Sequence, residues 1–248
     1  MELDLEKLSK LCKPFIAMPC YGGKLEAETA QGLLDFKAIC QAARIENEIC
    51  FLANEALISR GRNNLTAEFM ANPAYTHLVF VDADMAFDGA DIFKLIARDK
   101  DVVSAACPKK TFPIKYATSF VIKSMRETGQ ATGPVRDSSG ELIEATTVGA
   151  AFVCIKKSVI QKMIDSYQEL KYDNKSIEET DPNYETLNKY SYSLFDTIQE
   201  DKSYYGEDNA FCKRWKEIGG KIWVDSTIDI GHVGRHIFRG DPSVFKNL

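Results

Sequence analysis

The run Thr76-His77-Leu78-Val79-Phe80-Val81-Asp82-Ala83-Asp84 constrains this chain more than any other. Its apolar part is rich in β-branched and aromatic residues, which predicts a strand buried on both faces, as in a mainly parallel sheet. It then stops on two carboxylates one residue apart. Ligands of open α/β sheets bind beyond the carboxyl ends of the strands, so Asp82 and Asp84 are expected at a ligand-binding edge. Mn²⁺ or Mg²⁺ takes oxygen ligands, typically one or two carboxylates together with substrate phosphates. A strand followed by an Asp-capped turn has the same local sequence, so the neighbouring segments have to decide.

A sheet buried on both faces needs enough chain to cover it. The 248 residues, 45% hydrophobic and 27% charged, suffice for one α/β domain over 1–248, with a polar, tyrosine-rich surface excursion at about 165–203. The net charge of -5 and the lack of a basic tract argue against nucleic acid as a partner. Seven cysteines, an odd number with no Cys-x-x-Cys pair, predict buried reduced thiols and a cytoplasmic location. Met1 to Lys10 alternates charged and apolar residues, unlike a secretory leader, and no apolar stretch approaches the length of a membrane span.

Along the chain, Phe15 to Pro19 reads as the first strand and Cys20-Tyr21-Gly22-Gly23 as a loop. The glycines allow close backbone approach to a ligand, and Tyr21 offers a ring to stack on a base. Leu25 to Arg44 has helical spacing at Leu33, Leu34, Ala38 and Ile39, and Glu48 to Leu52 is a short strand. A helix from Leu57 to Met70 carries Arg60 and Arg62 near its start. Forked guanidinium donors at a helix N-terminus suit a diphosphate, although two arginines also make an ordinary solvated face. A helix at Asp91–Arg98 and a strand at Asp101–Cys107 follow, and then Pro108-Lys109-Lys110 at the same sheet edge, where either lysine has the charge to meet a phosphate or simply faces solvent. Tyr116 to Ile122 predicts an antiparallel strand and Thr128 to Gly140 a loop. Thr146 to Ile155 reads as one strand whose small residues, Gly149 among them, leave room for a sugar. A helix begins at Ser158, and another places Glu207 and Asp208 in its first turn, where carboxylates also serve as dipole partners. After a strand at Lys221–Val224, a last one at Ile228–Gly234 frames His232 between glycines.

The segments MPCYGG (18–23), SRGRNN (59–64), VFVDADM (79–85), GEDNAFCKRW (206–215) and IGHVG (230–234) occur in an order that resembles the GT-A class of metal-dependent nucleotide-sugar glycosyltransferases, near its family 2. The resemblance spans most of residues 14–240. It implies a GT-A-type, Rossmann-like fold with a mixed, mostly parallel central sheet flanked by helices. It also implies that Asp84 binds Mn²⁺ or Mg²⁺, that Asp82 contacts the ribose or the metal shell, and that His232 is a third metal ligand. Asp208 resembles the general base of inverting members. Pro19, Cys20, Tyr21, Arg60, Arg62, Asp82 and Ala83 then fall on the nucleotide, and Gly149 and Glu207 on the donor or acceptor sugar. Where the largest inverting family often carries Asn-Glu after the first strand, this chain has Tyr21-Gly22-Gly23.

The expected reaction moves a sugar from a nucleotide-diphosphate donor, a uridine nucleotide favoured by the resemblance, to a hydroxyl acceptor. Two other functions share parts of the pattern. A sugar nucleotidyltransferase would carry a Gly-rich basic loop after the first strand, and Gly22-Gly23-Lys24 is a faint version of one. A non-catalytic sugar-nucleotide binding module would not need Asp82, Asp84, Asp208 and His232 together.

Overall fold

The computed structural model describes residues 3–122 and 133–247. The first half of the chain runs α1 (Leu5–Leu11), β1 (Pro14–Cys20), α2 (Ala27–Ala43), β2 (Glu48–Ala53), α3 (Ile58–Ala71), β3 (His77–Val81), β4 (Met85–Ala86), α4 (Gly89–Ala97), β5 (Val102–Ala105) and β6 (Thr118–Phe120). It continues with β7 (Leu142–Val148), β8 (Phe152–Lys156), α5 (Lys157–Ser166), α6 (Tyr184–Lys189), β9 (Ile198–Glu200), β10 (Ser203–Tyr205), α7 (Glu207–Glu217), β11 (Ile222–Asp225), β12 (Gly231–His232) and β13 (Phe238–Arg239).

The central sheet has eight strands in the order β2-β1-β3-β8-β5-β11-β7-β6. β1 pairs in parallel with β2 and β3, and β5 with β11; β8 and β7 run against their neighbours. The sheet is thus mixed, and six of its eight strands share one direction. Alternation along each strand sends side chains into two cores, as the two-fold period of a strand requires. Phe15, Leu78, Phe80, Val153 and Ile155 face the core covered by α3, α5 and α7. Ile16, Met18, Val79, Val81, Phe152 and Cys154 face the core covered by α1, α2 and α4. The expected burial of β3 on both faces holds, since Leu78 to Val81 are all fully buried.

Four expectations need correction. The residues 146–155 form not one strand but β7 and β8, broken at 149–151. β8 turns back between β3 and β5 and pairs antiparallel with both; Gly149, at the start of the break, is the local mark of the bend, since a glycine inside a strand pattern weakens the strand there. In α2 the buried face is Thr29, Gly32, Leu33, Phe36 and Cys40, while Leu34 is 65% exposed and Ala38 is exposed. Polar Thr29 and small Gly32 occupy the helix face nearest the strands, where apolarity alone did not point. The segment 165–203 is more than a surface excursion. It holds α6 and β9, and it buries Leu187, Tyr192, Leu194 and Phe195, with Phe195 stacked on Phe211 at 4.6 Å and edge-on to Phe80 at 5.3 Å. Finally, Ile228–Gly234 adds no strand to the main sheet. Only Gly231–His232 is paired, in a small sheet with β4 and β13. Of the loop expected over 128–140, residues 128–132 lie outside the described residues.

Candidate active site

The site begins where β3 ends. Leaving Val81, the backbone of Asp82-Ala83-Asp84 is held from every side. The Asp82 amide donates to the Ala151 carbonyl at 2.9 Å. The Ala83 carbonyl accepts from the Glu26 amide at 2.8 Å and from Thr29 Oγ1 at 3.0 Å. The Val233 amide donates to the Asp84 carbonyl at 2.7 Å. Satisfying these buried backbone groups is what fixes a short loop with no regular structure. Ala83, expected on the nucleotide, therefore has a bracing role through its carbonyl. The pairing of β12 with β4, His232 opposite Met85, sets the His232 ring beside Asp84.

His232 Nε2 lies 3.4 Å from Asp84 Oδ1, and Nδ1 lies 2.9 Å from the Pro108 carbonyl oxygen. A carbonyl oxygen only accepts, so Nδ1 carries a proton. If Nε2 has a second proton it donates to Asp84; if not, two acceptors face each other and leave a place for a shared cation. A backbone carbonyl on the far nitrogen is the usual way a metal-binding imidazole is oriented. Asp84 and His232 therefore fit two ligands of a hard divalent ion, with phosphate and water to complete it. Lys110 Nζ also reaches Asp84, at 2.5 Å from Oδ2. Burial works to raise the Asp84 pKa, but hydrogen bonds from His232 and Lys110 outweigh it and hold the carboxyl at about 2.

Asp82, expected at the ribose or the metal shell, is paired with Arg62. Both its oxygens accept from Arg62 Nη2, at 3.0 and 3.3 Å, so its carboxylate is turned to Arg62. Among the described residues no group of three His, Cys, Asp or Glu side chains forms a ready metal cage. Arg62 itself is 2% exposed, lies over the Phe80 ring at 5.1 Å, and its Nε is 3.4 Å from Glu207 Oε1. Burial would lower the Arg62 pKa, but the charges of Asp82 and Glu207 more than compensate and raise it. One amino group, Nη1, is buried with no hydrogen-bond partner among the described residues. Arg60, two residues away on α3, points elsewhere. It is exposed and forked onto Glu55, at 2.6 and 2.9 Å. A helix turns about 100° per residue, so positions two apart face in nearly opposite directions.

Asp208 sits in the first turn of α7. The N-cap is Gly206, which has no side-chain cap, so Asp208 is not the capping residue; its Oδ1 accepts from the adjacent Asn209 amide at 2.6 Å. Burial first, then the charge of Glu207, raises the Asp208 pKa above that of an ordinary aspartate. A cleft of about 170 Å³ joins these parts, lined by Arg62, Asp82, Gly149, Ala151, Asp208 and His232 among others. A Cβ on Gly149 would stand 3.1 Å from the Ala117 Cβ and 3.8 Å from Asp208 Oδ2, so the absent side chain keeps the cleft open. The Cys107 thiol at its wall is pushed up to about 12 by burial and by Asp82 and Asp84, which removes it as a nucleophile.

Pro19, Cys20 and Tyr21 stand at the end of β1, the neighbour of β3. The buried Cys20 thiol is raised by burial first and then by the Asp82 charge. Tyr21 is 74% exposed on a turn in which Gly22 and Gly23 have φ of 79° and 65°, a region that favours glycine. The structure thus brings together Arg62, Asp82, Asp208, Glu207, Gly149 and, beside them, Asp84 with His232. It leaves Arg60 outside. Lys110 carries a contact that its neighbours in sequence did not single out from a solvated lysine. The Ala151 and Pro108 carbonyls left no signal, because a backbone carbonyl looks the same at every position; Thr29 acts through its hydroxyl, and one threonine in a helical pattern is not distinguished by its neighbours.

No protein-family model matches the chain, and none of the curated proteins matches it. Among solved structures, A197 from STIV is similar over 90% of this chain and 86% of that one, at a TM-score of 0.51 and 18% identity. That likeness shows a shared fold. A 4-diphosphocytidyl-2C-methyl-D-erythritolsynthase from Anaerococcus prevotii aligns over 72% of this chain and 84% of that one, at a TM-score of 0.34 and 12% identity.

Proposed function

We propose that the chain is a metal-dependent glycosyltransferase that moves a sugar from a nucleotide-diphosphate donor, a uridine nucleotide favoured, to a hydroxyl on a carbohydrate or other acceptor, with inversion. The observation that carries this reading is a half-buried carboxylate with a raised pKa, Asp208, sharing one cleft with the Arg62–Asp82 pair and His232, beside Asp84.

In this reading the acceptor oxygen attacks the anomeric carbon from the face opposite the diphosphate. Its proton passes to the Asp208 carboxylate, and the bond from the anomeric carbon to the diphosphate oxygen breaks, the electron pair leaving with the diphosphate. Asp208 is suited to this because a carboxylate of higher pKa is a stronger base, and its Oδ2 borders the space at Gly149, 3.8 Å from where a Cβ there would stand. Arg62 holds Asp82 and Glu207 in place, Asp82 for the ribose and Glu207 for a sugar hydroxyl. Tyr21 offers its exposed ring to the base. A Mn²⁺ or Mg²⁺ held by Asp84 and His232 would supply Lewis-acid stabilisation of the leaving diphosphate.

A panel of sugar nucleotides, with and without Mn²⁺, tests the proposal without knowledge of the acceptor. Slow metal-dependent release of a nucleoside diphosphate is expected with one donor. Release of pyrophosphate from a nucleoside triphosphate and a sugar phosphate would point to a nucleotidyltransferase instead. Tight nucleotide binding without turnover of any donor would leave a binding module. Asp84→Ala is expected to abolish the Mn²⁺ dependence of nucleotide binding while the circular dichroism of the fold is retained.

A further inference from the structure

Lys110 is not a freely solvated lysine. Its ammonium lies 2.5 Å from Asp84 Oδ2, while His232 Nε2 faces the other oxygen of the same carboxylate at 3.4 Å. The approach is built into the fold at three points. The loop that carries Lys110 is closed by the Lys109 amide on the Lys115 carbonyl at 2.6 Å, and Pro108 and Tyr116 pair across its base. Phe112, at the loop's tip, packs on His236 and Phe238, with ring centroids 5.2 and 4.9 Å away. The lysine stem crosses Gly234, where an added Cβ would lie 3.3 Å from Lys110 Cδ. The His-bearing segment and the Lys-bearing loop thus close on Asp84 together, and the Pro108 carbonyl that orients His232 belongs to the same loop.

Resting on the reading above, we infer that Lys110 is a placeholder cation: it occupies the Asp84 oxygen that a divalent ion would use, and on displacement it becomes a contact for the donor's diphosphate. An ammonium and a divalent ion on one carboxylate oxygen stand a few ångströms apart and repel each other, so the two compete. The charge released from Asp84 is then next to an incoming dianionic group. A lysine stem with four rotatable bonds covers that step without backbone movement, and an ammonium is a compact point charge suited to either anion. The device makes metal binding by the free protein weak and couples it to the nucleotide, since the diphosphate gives Lys110 a new partner.

The test is calorimetric titration of Mn²⁺ alone, UDP alone, and UDP with saturating Mn²⁺, into wild type, Lys110→Met, Lys110→Arg, Asp84→Ala and a charge control, Lys10→Met in α1. A half-exposed ion pair is worth little, so Lys110→Met is expected to bind Mn²⁺ alone about two- to tenfold more tightly than wild type. The gain is expected to shrink as salt is raised. The same variant is expected to bind UDP, with Mn²⁺ present, more weakly, while Lys110→Arg and Lys10→Met stay near wild type. Mn²⁺ binding that disappears in Asp84→Ala yet is equal in wild type and Lys110→Met would overturn the placeholder and leave the metal site standing. Absence of Mn²⁺ binding in every variant, with or without UDP, would overturn both.

Discussion

At the scale of single residues, Asp208 and Arg62 set the sharpest expectations. The raised pKa of Asp208 means that the fold disfavours its charged form. The sign follows directly. For a carboxyl whose folded pKa is the higher, stability is lost as pH rises from the unfolded pKa to the folded one, and stays lost above it. Asp208→Asn removes that cost. It should melt at neutral pH no lower than wild type, bind Mn²⁺ and nucleotide as before, and lose at least about two orders of magnitude in transfer. A lower melting temperature with transfer intact would make Asp208 a helix-terminus partner and move the base to Glu207 or Asp196. In wild type, transfer should fall on acidification at a pH above that of an ordinary aspartate, as the base takes up its proton. Arg62 is different, because it is buried between two carboxylates. Arg62→Met leaves Asp82 and Glu207 without the cation they share. Both are partly exposed, so the cost is expected at about 2–3 kcal/mol, below that of a fully buried broken pair. UDP affinity should fall with it. Arg60→Ala, by contrast, is expected to leave UDP binding unchanged in titration, because that guanidinium is held by Glu55.

At the scale of elements, the close crossing of α2 and α4 positions the carboxylate loop. A Cβ on Gly89 would stand 2.2 Å from the Phe36 amide nitrogen and 2.6 Å from the Asp35 carbonyl carbon, which are backbone atoms that cannot step aside. α4 begins here, with Asp88 as N-cap and Asp91 completing a capping box, directly after β4. Gly89→Ala is expected to cost about 3 kcal/mol in denaturant unfolding, at the upper end for overpacking, because helix must separate from helix. It should also weaken Mn²⁺ binding, since β4 carries the pairing that seats His232. A variant with wild-type stability would show that the two helices can slide apart. The segment 165–203 supports the site through Phe195, which lies between Phe80, the ring under Arg62, and Phe211 of α7, which carries Asp208. Phe195→Ala should lose about 3–5 kcal/mol through the cavity it leaves.

At the scale of the whole molecule, the seven thiols report the two cores. All are free, and all but half-buried Cys50 are buried. Burial pushes Cys12 and Cys50 up to about 11 and Cys40 and Cys212 up to about 12. A thiolate-seeking reagent at mildly alkaline pH should therefore find almost nothing in the native protein, with Cys50 the first to react, and all seven thiols after denaturation without reductant. Fewer than seven would mean a disulfide that the structure lacks. No described helix is long and apolar enough to cross a membrane. What the chain by itself determined was local. β-branched runs specify strands, 3.6-residue spacing specifies helices, and carboxylates beyond an apolar run mark an edge, because each depends on neighbours within a few residues. So β3, α3, α7, the placing of Asp82 and Asp84 beyond a strand, and that of Asp208 in the first turn of a helix were legible. Tertiary structure decided the rest. Whether Asp82 turns to a metal or to Arg62, whether Arg60 or Arg62 faces the cleft, and whether residues 146–155 run straight or fold back all depend on which surfaces meet. Lys110 is the plainest case. Nothing within ten residues distinguishes it from Lys109, and its role comes from a carboxylate 26 positions earlier that a different strand delivers. Charge pairing acts over ångströms in space, and a sequence orders residues only along the chain.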